Sequence, residues 1–286
     1  LGATIAEVGF RHKLGVKALW VGTLCGLFPD LDMVVRVAGE WATLQHHRGV
    51  THSLIVLTFL APLFGWLAHR WARREGTWLQ WSHLAWWTLI THPLLDVCTS
   101  YGTQLFAPIT DTRYAIDAVA VVDPAYSIPL LVVVVWAIWR RNAPPSRRRR
   151  IVAGVMLAVT TVYLAIGYGL AHRAAGLAER QLRQEGFQPA SVRAVPTLFN
   201  LGLRRIVAVN PAGDVRAGLI SAWAPRKITF ARYERSRDPL VKRALASPRG
   251  QLFLWFADGF VTTEVKRHEK GTTVILSDMR FALVSE

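Results

Sequence analysis

Apolar positions gather into five runs along the first 171 residues: Leu14–Phe28, Ser53–His69, Trp78–Cys98, Tyr126–Trp139 and Ile151–Ala171. A bilayer core asks for about 20 apolar residues in a helix, with a tolerance of a few. The third and fifth runs meet this and the second nearly does. The first and fourth are short, but each abuts a Pro-Asp or Asp-Pro pair that can lie at a membrane face. Trp66, Trp71, Trp78, Trp81, Trp136 and Trp139 fall near the ends of runs, where amphipathic rings prefer to sit. The pattern therefore predicts five membrane-spanning helices over residues 1–171.

After residue 171 the pattern changes. Residues 172–186 read as a helix continuing the fifth run, with Glu179, Arg180, Arg183 and Glu185 solvated, ended by Gly186 and Pro189. Beyond it, Arg205–Val209, Gly218–Trp223, Gln251–Phe256 and Thr272–Leu276 read as strands bounded by Gly, Pro, Asn and Asp. Asp238–Leu245 reads as a short helix. The expected fold class is an α-helical polytopic membrane domain (1–171) followed by a small α+β soluble domain (172–286).

Composition agrees with two unlike parts. At about 150 residues per domain, 286 residues suggest two domains. With 52% hydrophobic and 19% charged residues, the chain is neither disordered nor collagen-like. Residues 1–171 carry a net charge of +6 and residues 172–286 one of +9. Beside membrane spans, such an excess points to anionic lipid and not to nucleic acid. Cys25 and Cys98 form neither a CxxC pair nor a disulfide framework.

Charge also gives an orientation. Arg11, Lys13 and Lys17, then Arg70, Arg73 and Arg74, then Arg140, Arg141 and Arg147 to Arg150 would all lie on one side. The opposite short loops hold only Arg36, Arg48 and Arg113. The positive-inside rule puts the first set in the cytoplasm, so the active site and the C-terminal domain are expected to face the periplasm across a bacterial inner membrane.

On that outer side the histidines and carboxylates converge. Pro29-Asp30-Leu31-Asp32 ends the first run, His47-Arg48-Gly49-Val50-Thr51-His52-Ser53 opens the second, His92-Pro93-Leu94-Leu95-Asp96 ends the third, and Asp123-Pro124 opens the fourth. His92 and Asp96, at i and i+4, share a helix face. Imidazole mixed with carboxylate suits zinc, with manganese as the alternative, and argues against calcium or magnesium. The candidate metal ligands are Asp30, Asp32, His47, His52, His92, Asp96 and Asp123. No Cys is among them, which favours a catalytic centre with open positions over a structural thiolate site. Arg113 follows in a loop rich in hydroxyls and is a candidate fork for a phosphate, with Arg48 and Tyr101 beside it as candidate substrate contacts. Asp30 or Asp32 is the candidate for orienting an attacking water. A metal-ion carrier or sensor, or a non-catalytic membrane scaffold, would use the same ligands.

These motifs, in order from Leu1 to Pro124, resemble the bacterial membrane-bound metal-dependent hydrolases, the YdjM-like family. Pro196–Asn200 and Asp278–Phe281 look like the soluble extension of longer members. The family is in turn thought to be distantly similar to the zinc-dependent phospholipase C and P1 nuclease group, which cleaves phosphate esters. The resemblance implies His47, His52, His92, Asp96 and the Asp30/Asp32 pair as metal ligands. It implies a lipid-like or phosphate-ester substrate, with membrane lipid as partner. Members typically carry a Thr-His just before a segment like Leu1-Gly2-Ala3, so the chain is expected to be incomplete at its start and to lack that histidine.

Overall fold

The computed structural model describes residues 1–269 and 271–282. Helices α1 (Gly2–Gly9), α2 (Arg11–Leu14) and α3 (Lys17–Leu27) lead into a 3-10 segment, Pro29–Ala38. Then come α4 (Glu40–His46), a 3-10 turn (Val50–His52), α5 (Leu54–Trp71), α6 (Trp78–Val97), α7 (Pro124–Trp139) and the long α8 (Arg147–Gln184). Strands β1 (Ser191–Thr197), β2 (Asn200–Val209), β3 (Val215–Ser221) and β4 (Ala231–Tyr233) follow. Helices α9 (Pro239–Ala246) and α10 (Pro248–Phe256) precede β5 (Val261–His268) and β6 (Gly271–Asp278). The chain groups into two compact units. One comprises Leu1–Ala38, His46–Ile116 and Val121–Ile166; the other comprises Gly39–Gln45, Asp117–Ala120 and the chain from Gly167 onward.

In the helical unit, α6 is the central element. Thr77 and Gln80 start it with a reciprocal capping box. Its Trp81, Leu84, Ala85 and Leu89 are fully buried, together with Ala6, Ala18 and Leu57 of the neighbouring helices. Small residues let these helices approach closely. A Cβ on Gly2 of α1 would run into the Gly22 carbonyl of α3, and one on Gly65 of α5 into Ser82 of α6.

Among the described residues three helical stretches are long and apolar enough to cross a membrane: Lys17–Ala38, Leu54–Trp71 and Arg147–Gln184. Helix α7 is apolar but has only 16 residues. Helix α6, expected as a span, is not among the three. Gln80, His83, His92 and Asp96 interrupt it; Trp81, Leu84, Ala85 and Leu89 pack among other helices, while Trp78, Leu79, Trp87 and Leu94 are exposed. Large side chains on the outside of α5, α7 and α8, among them Phe59, Leu131 and Val159, are exposed, as a lipid-facing surface requires.

In the sheet unit, β1-β2-β3-β4 form an antiparallel sheet in that order, and β5 pairs with β6 in a separate ribbon. Leu170, Ala174 and Ala178 of α8 pack on Ile206 and Ile220. The helix ends near Gly186, whose φ of 82° suits a residue without a side chain. One expected strand is corrected: Gln251–Phe256 lies in helix α10. Ser247 accepts a hydrogen bond from the Gly250 amide and Pro248 occupies the first turn, a start signal that outweighs the strand propensity of Leu252, Phe253 and Phe256.

Candidate metal centre

Three local structures of the helical unit deliver the central side chains. Pro29 follows α3 and turns the backbone into the 3-10 segment that presents Asp30 and Asp32. His52 closes the second 3-10 turn, directly before Ser53, which caps α5 by accepting from the Val56 amide. One turn of α6 supplies His92 and Asp96.

Asp30, His52 and His92 each offer a ligand atom within 4.8 Å of the others, and Asp96 Oδ2 lies against both histidines. His52 Nε2 lies 3.1 Å from Asp96 Oδ2 and 3.7 Å from Asp30 Oδ1. His92 Nε2 lies 3.4 Å from Asp30 Oδ1 and 3.5 Å from Asp96 Oδ2. Ligands at the bond lengths usual for zinc stand about 3.3 Å apart along a tetrahedron edge, close to these four His–Asp spacings. His52 Nε2, His92 Nε2 and Asp96 Oδ2 are buried and have no hydrogen-bond partner. Buried polar atoms are rarely left so. The donor set fits a divalent metal. Without one, a proton does part of the work. Burial would lower the His52 pKa, but the neighbouring carboxylates of Asp30, Asp32 and Asp96 raise it to about 10.

A second layer holds these ligands in place. His92 Nδ1 donates to the Gly26 carbonyl at 2.8 Å, which leaves Nε2 as the inward-facing atom. His52 Nδ1 stands 3.3 Å from Asp32 Oδ2 and 3.1 Å from the Thr51 hydroxyl. Asp32 therefore sits behind His52 instead of beside it. Its oxygens accept from His47 Nδ1 at 2.7 Å, the Thr51 hydroxyl at 2.7 Å and the Arg48 amide at 3.0 Å. That amide is aimed by a left-handed backbone, φ 61°, which a residue with a side chain adopts only under local constraint. The Arg48 guanidinium pairs with Asp96 Oδ1 at 3.2 Å and donates to the Thr99 hydroxyl at 2.9 Å, leaving Asp96 Oδ2 for the cluster.

The sequence candidates thus separate into those that share the cluster and those that do not. Asp30, His52, His92 and Asp96 share it. His47 reaches it only through Asp32, and its ring packs edge-on against Tyr101 at 5.6 Å. Asp123 is placed elsewhere: its Oδ1 caps α7 by accepting from the Ala125 and Tyr126 amides, and its Oδ2 accepts from the Tyr163 hydroxyl at 2.9 Å. Both oxygens are engaged at a helix start, which is a different role from ligation. Arg113 donates to the Tyr101 and Gly102 carbonyls, and the Tyr101 ring has Arg48 at 4.9 Å and Arg113 at 5.1 Å. These three form a brace beside the cluster. Sequence reasoning missed Thr51 and Thr99 as supports and Tyr163 as the partner of Asp123. Hydroxyls carry no spacing signature, and Tyr163 is 40 residues from the carboxylate it meets.

The comparisons with known proteins bear on the helical unit. The profile of a family described as YdjM inner membrane protein matches residues 1–173. A curated relative from Bacillus subtilis (strain 168), described as uncharacterized protein YfhP, is 30% identical over 148 residues. That match covers 50% of this chain and 43% of the relative. No solved structure matches.

Proposed function

The chain belongs to the YdjM inner membrane protein family, and from that premise we propose that it is a membrane-bound metal-dependent hydrolase acting on a phosphate ester of a lipid-like substrate. One observation carries the reading: Asp30, His52 and His92 bring ligand atoms within 4.8 Å of one another, Asp96 Oδ2 lies against both histidines, and His52 Nε2, His92 Nε2 and Asp96 Oδ2 are buried without hydrogen-bond partners. A zinc or manganese ion held there supplies a Lewis acid for a phosphoryl oxygen and brings the pKa of water toward neutrality.

The chain's own residues set the rest. His52 and His92 would hold such an ion through Nε2, each with its Nδ1 fixed from behind. The Asp30 side chain is 48% exposed while that of Asp96 is 13% exposed, so Asp30 marks the open side where substrate and water enter. From there Asp30 can accept a proton from an attacking water, with Asp32 acting behind it through His52. Arg48 and Arg113, held against Tyr101, place positive charge next to the site for a phosphoryl group. Leu31, Val34 and Val50, beside Asp30, Asp32 and His52 in sequence, are exposed apolar side chains, which supports an amphiphilic substrate over a small soluble one. The phosphate-ester class rests on the motif resemblance, and the periplasmic placement of the site rests on the distribution of Lys and Arg.

The test is made on the protein purified in detergent. Bound metal is quantified and ester hydrolysis is followed with a lipid phosphate and a soluble phosphodiester. Metal-dependent turnover that is lost in His92→Ala and Asp96→Ala is the expected result. Undiminished turnover in both variants would overturn the assignment. Tight metal binding with no turnover of any phosphate ester would favour the carrier or scaffold reading.

A further inference from the structure

The helical unit has a second charged site, built from other residues. Glu7 of α1 is buried between two guanidinium groups, 2.7 Å from Arg11 Nη1 and 3.6 Å from Arg149 Nε. Arg11 also donates to the carbonyls of Ala137, Arg140 and Arg141, and Arg149 to those of Arg140 and Pro144. The trio locks the end of α7 to α1 and α2 and keeps one unbalanced positive charge. Against it opens a cavity of about 250 Å³, whose lining includes His12, Ser146, Arg147 and Arg150. Arg147 and Arg150 are exposed, and among the described residues neither has an acidic partner. Glu7 is the sole carboxylate of the lining and is already held by two arginines. The cavity therefore selects an anion.

The surface running away from it shows which kind. Arg147, Ile151, Val155 and Val159 follow one another at intervals of four and lie on one face of α8. Ile151 is 52% exposed, and Val155, Val159, Val162 and Ile166 are exposed as well. A cationic pocket thus stands at the head of an apolar stripe about two turns long and continuing. A free phosphate uses only the pocket. A phospholipid uses both, with its headgroup on the arginines and an acyl chain along the valines. We propose that this cavity and stripe bind one anionic phospholipid of the surrounding membrane, at a site separate from the His/Asp cluster.

The full chain in a neutral detergent, titrated with phosphatidylglycerol and then with phosphatidylcholine, tests this by native mass spectrometry. Retention of phosphatidylglycerol and not of phosphatidylcholine is expected, with no displacement by equimolar inorganic phosphate. The variant Arg147→Gln/Arg150→Gln should lose the retained lipid. The variant Arg141→Gln/Arg148→Gln removes the same charge from outside the cavity lining and should keep it. Val155→Ser/Val159→Ser should weaken retention while leaving both arginines in place. Equal losses in the two arginine variants would mean general surface attraction and would overturn the site. Displacement by inorganic phosphate, or indifference to the serine variant, would remove the lipid from the proposal. Arg147 and Arg150 are exposed, so the variants spare the fold, and helicity checks this independently.

Discussion

Each unit buries a group of charged side chains, and the two groups differ in how their charge is balanced. In the sheet unit, fully buried Arg280 donates to Asp278 at 2.7 Å, to Asp258 at 3.0 Å and to the Phe256 carbonyl. Arg193 pairs with Asp117 at 2.6 Å and shares Asp258 at 2.7 Å. Asp117 and Asp278 each meet a permanent cation in a forked geometry and Asp258 meets two, so the network is complete without a ligand. In the helical unit, Asp30 and Asp96 meet His52 and His92, whose inward nitrogens make no hydrogen bond. Apart from Arg48 on Asp96 Oδ1, titratable rings stand where the sheet unit has guanidiniums. Such an arrangement is balanced by protons or, on the function proposed above, by a metal, and that would separate it from a structural ion network.

The strongest way to break this contrast is to remove a member from each group. In His52→Ala, metal content should fall below detection. Hydrolysis should drop by more than the 10–100-fold typical of outer-shell partners. Metal retained at the wild-type level would make the helical cluster as self-sufficient as the sheet network. In Arg280→Ala no ligand is lost, but Asp278 loses its cation while Asp258 keeps Arg193, at about 3 kcal/mol. Hydrogen exchange should show faster opening of β5 and β6, and unchanged protection there would place the arginine's contribution elsewhere.

The two groups should also respond differently to pH. The His52 pKa is raised in the folded chain, to about 10, against about 6.5 in an unfolded one. Its protonated form therefore stabilises the metal-free fold fully below pH 6.5, and that contribution disappears as pH climbs through 10. Over the same window metal affinity should rise, because protons no longer compete for the nitrogen. Metal-free and metal-loaded samples, melted side by side from pH 6 to pH 10, should diverge. Parallel curves would mean that His52 does not exchange a proton for the ion.

A smaller effect separates ligand from support. Asp32→Asn keeps a shape that can accept from the Thr51 hydroxyl but removes the charge behind His52. Metal affinity should fall by about 10–100-fold without being abolished. Complete loss would make Asp32 a ligand after all, and isothermal titration with zinc distinguishes the outcomes.

These differences show what was legible in the sequence. His92 and Asp96 could be paired by helix geometry alone, and Asp30 and His52 were within the candidate set because charge at the edge of an apolar run is costly without a purpose. What spacing could not decide was direction. Asp30 and Asp32 are two residues apart, yet one faces the cluster and the other accepts from a histidine, a threonine and a main-chain amide. His47 and His52 divide in the same way, because the turn through left-handed Arg48 decides which ring reaches inward. On the scale of elements, length and apolar content predict α6 as a span, although one of its faces packs on neighbouring helices and polar residues interrupt it. Length and hydropathy do not record what a side chain packs against. In the C-terminal part, the same limit made a strand of Gln251–Phe256, where the decisive signal was the Ser-Pro pair just upstream.

Asp123 puts that limit to its finest test. An acidic residue at the outer end of an apolar run looked like one more ligand, but Asp-Pro is equally the signature of a helix start, and the structure uses it so. If capping is the whole role, Asp123→Ala should cost about 1 kcal/mol of stability, and Asp123→Ser should recover much of it by accepting from the same amides. Metal affinity should be unchanged in both. Tyr163→Phe should be milder still, since one hydrogen bond to Oδ2 is lost while Oδ1 keeps the cap. Zinc titration of the serine variant is the sharpest measurement, because serine preserves the cap and cannot imitate a carboxylate ligand. A tenfold weaker affinity there would extend the cluster to the start of α7, and the division between a binding site and the structural charges around it would have to be redrawn.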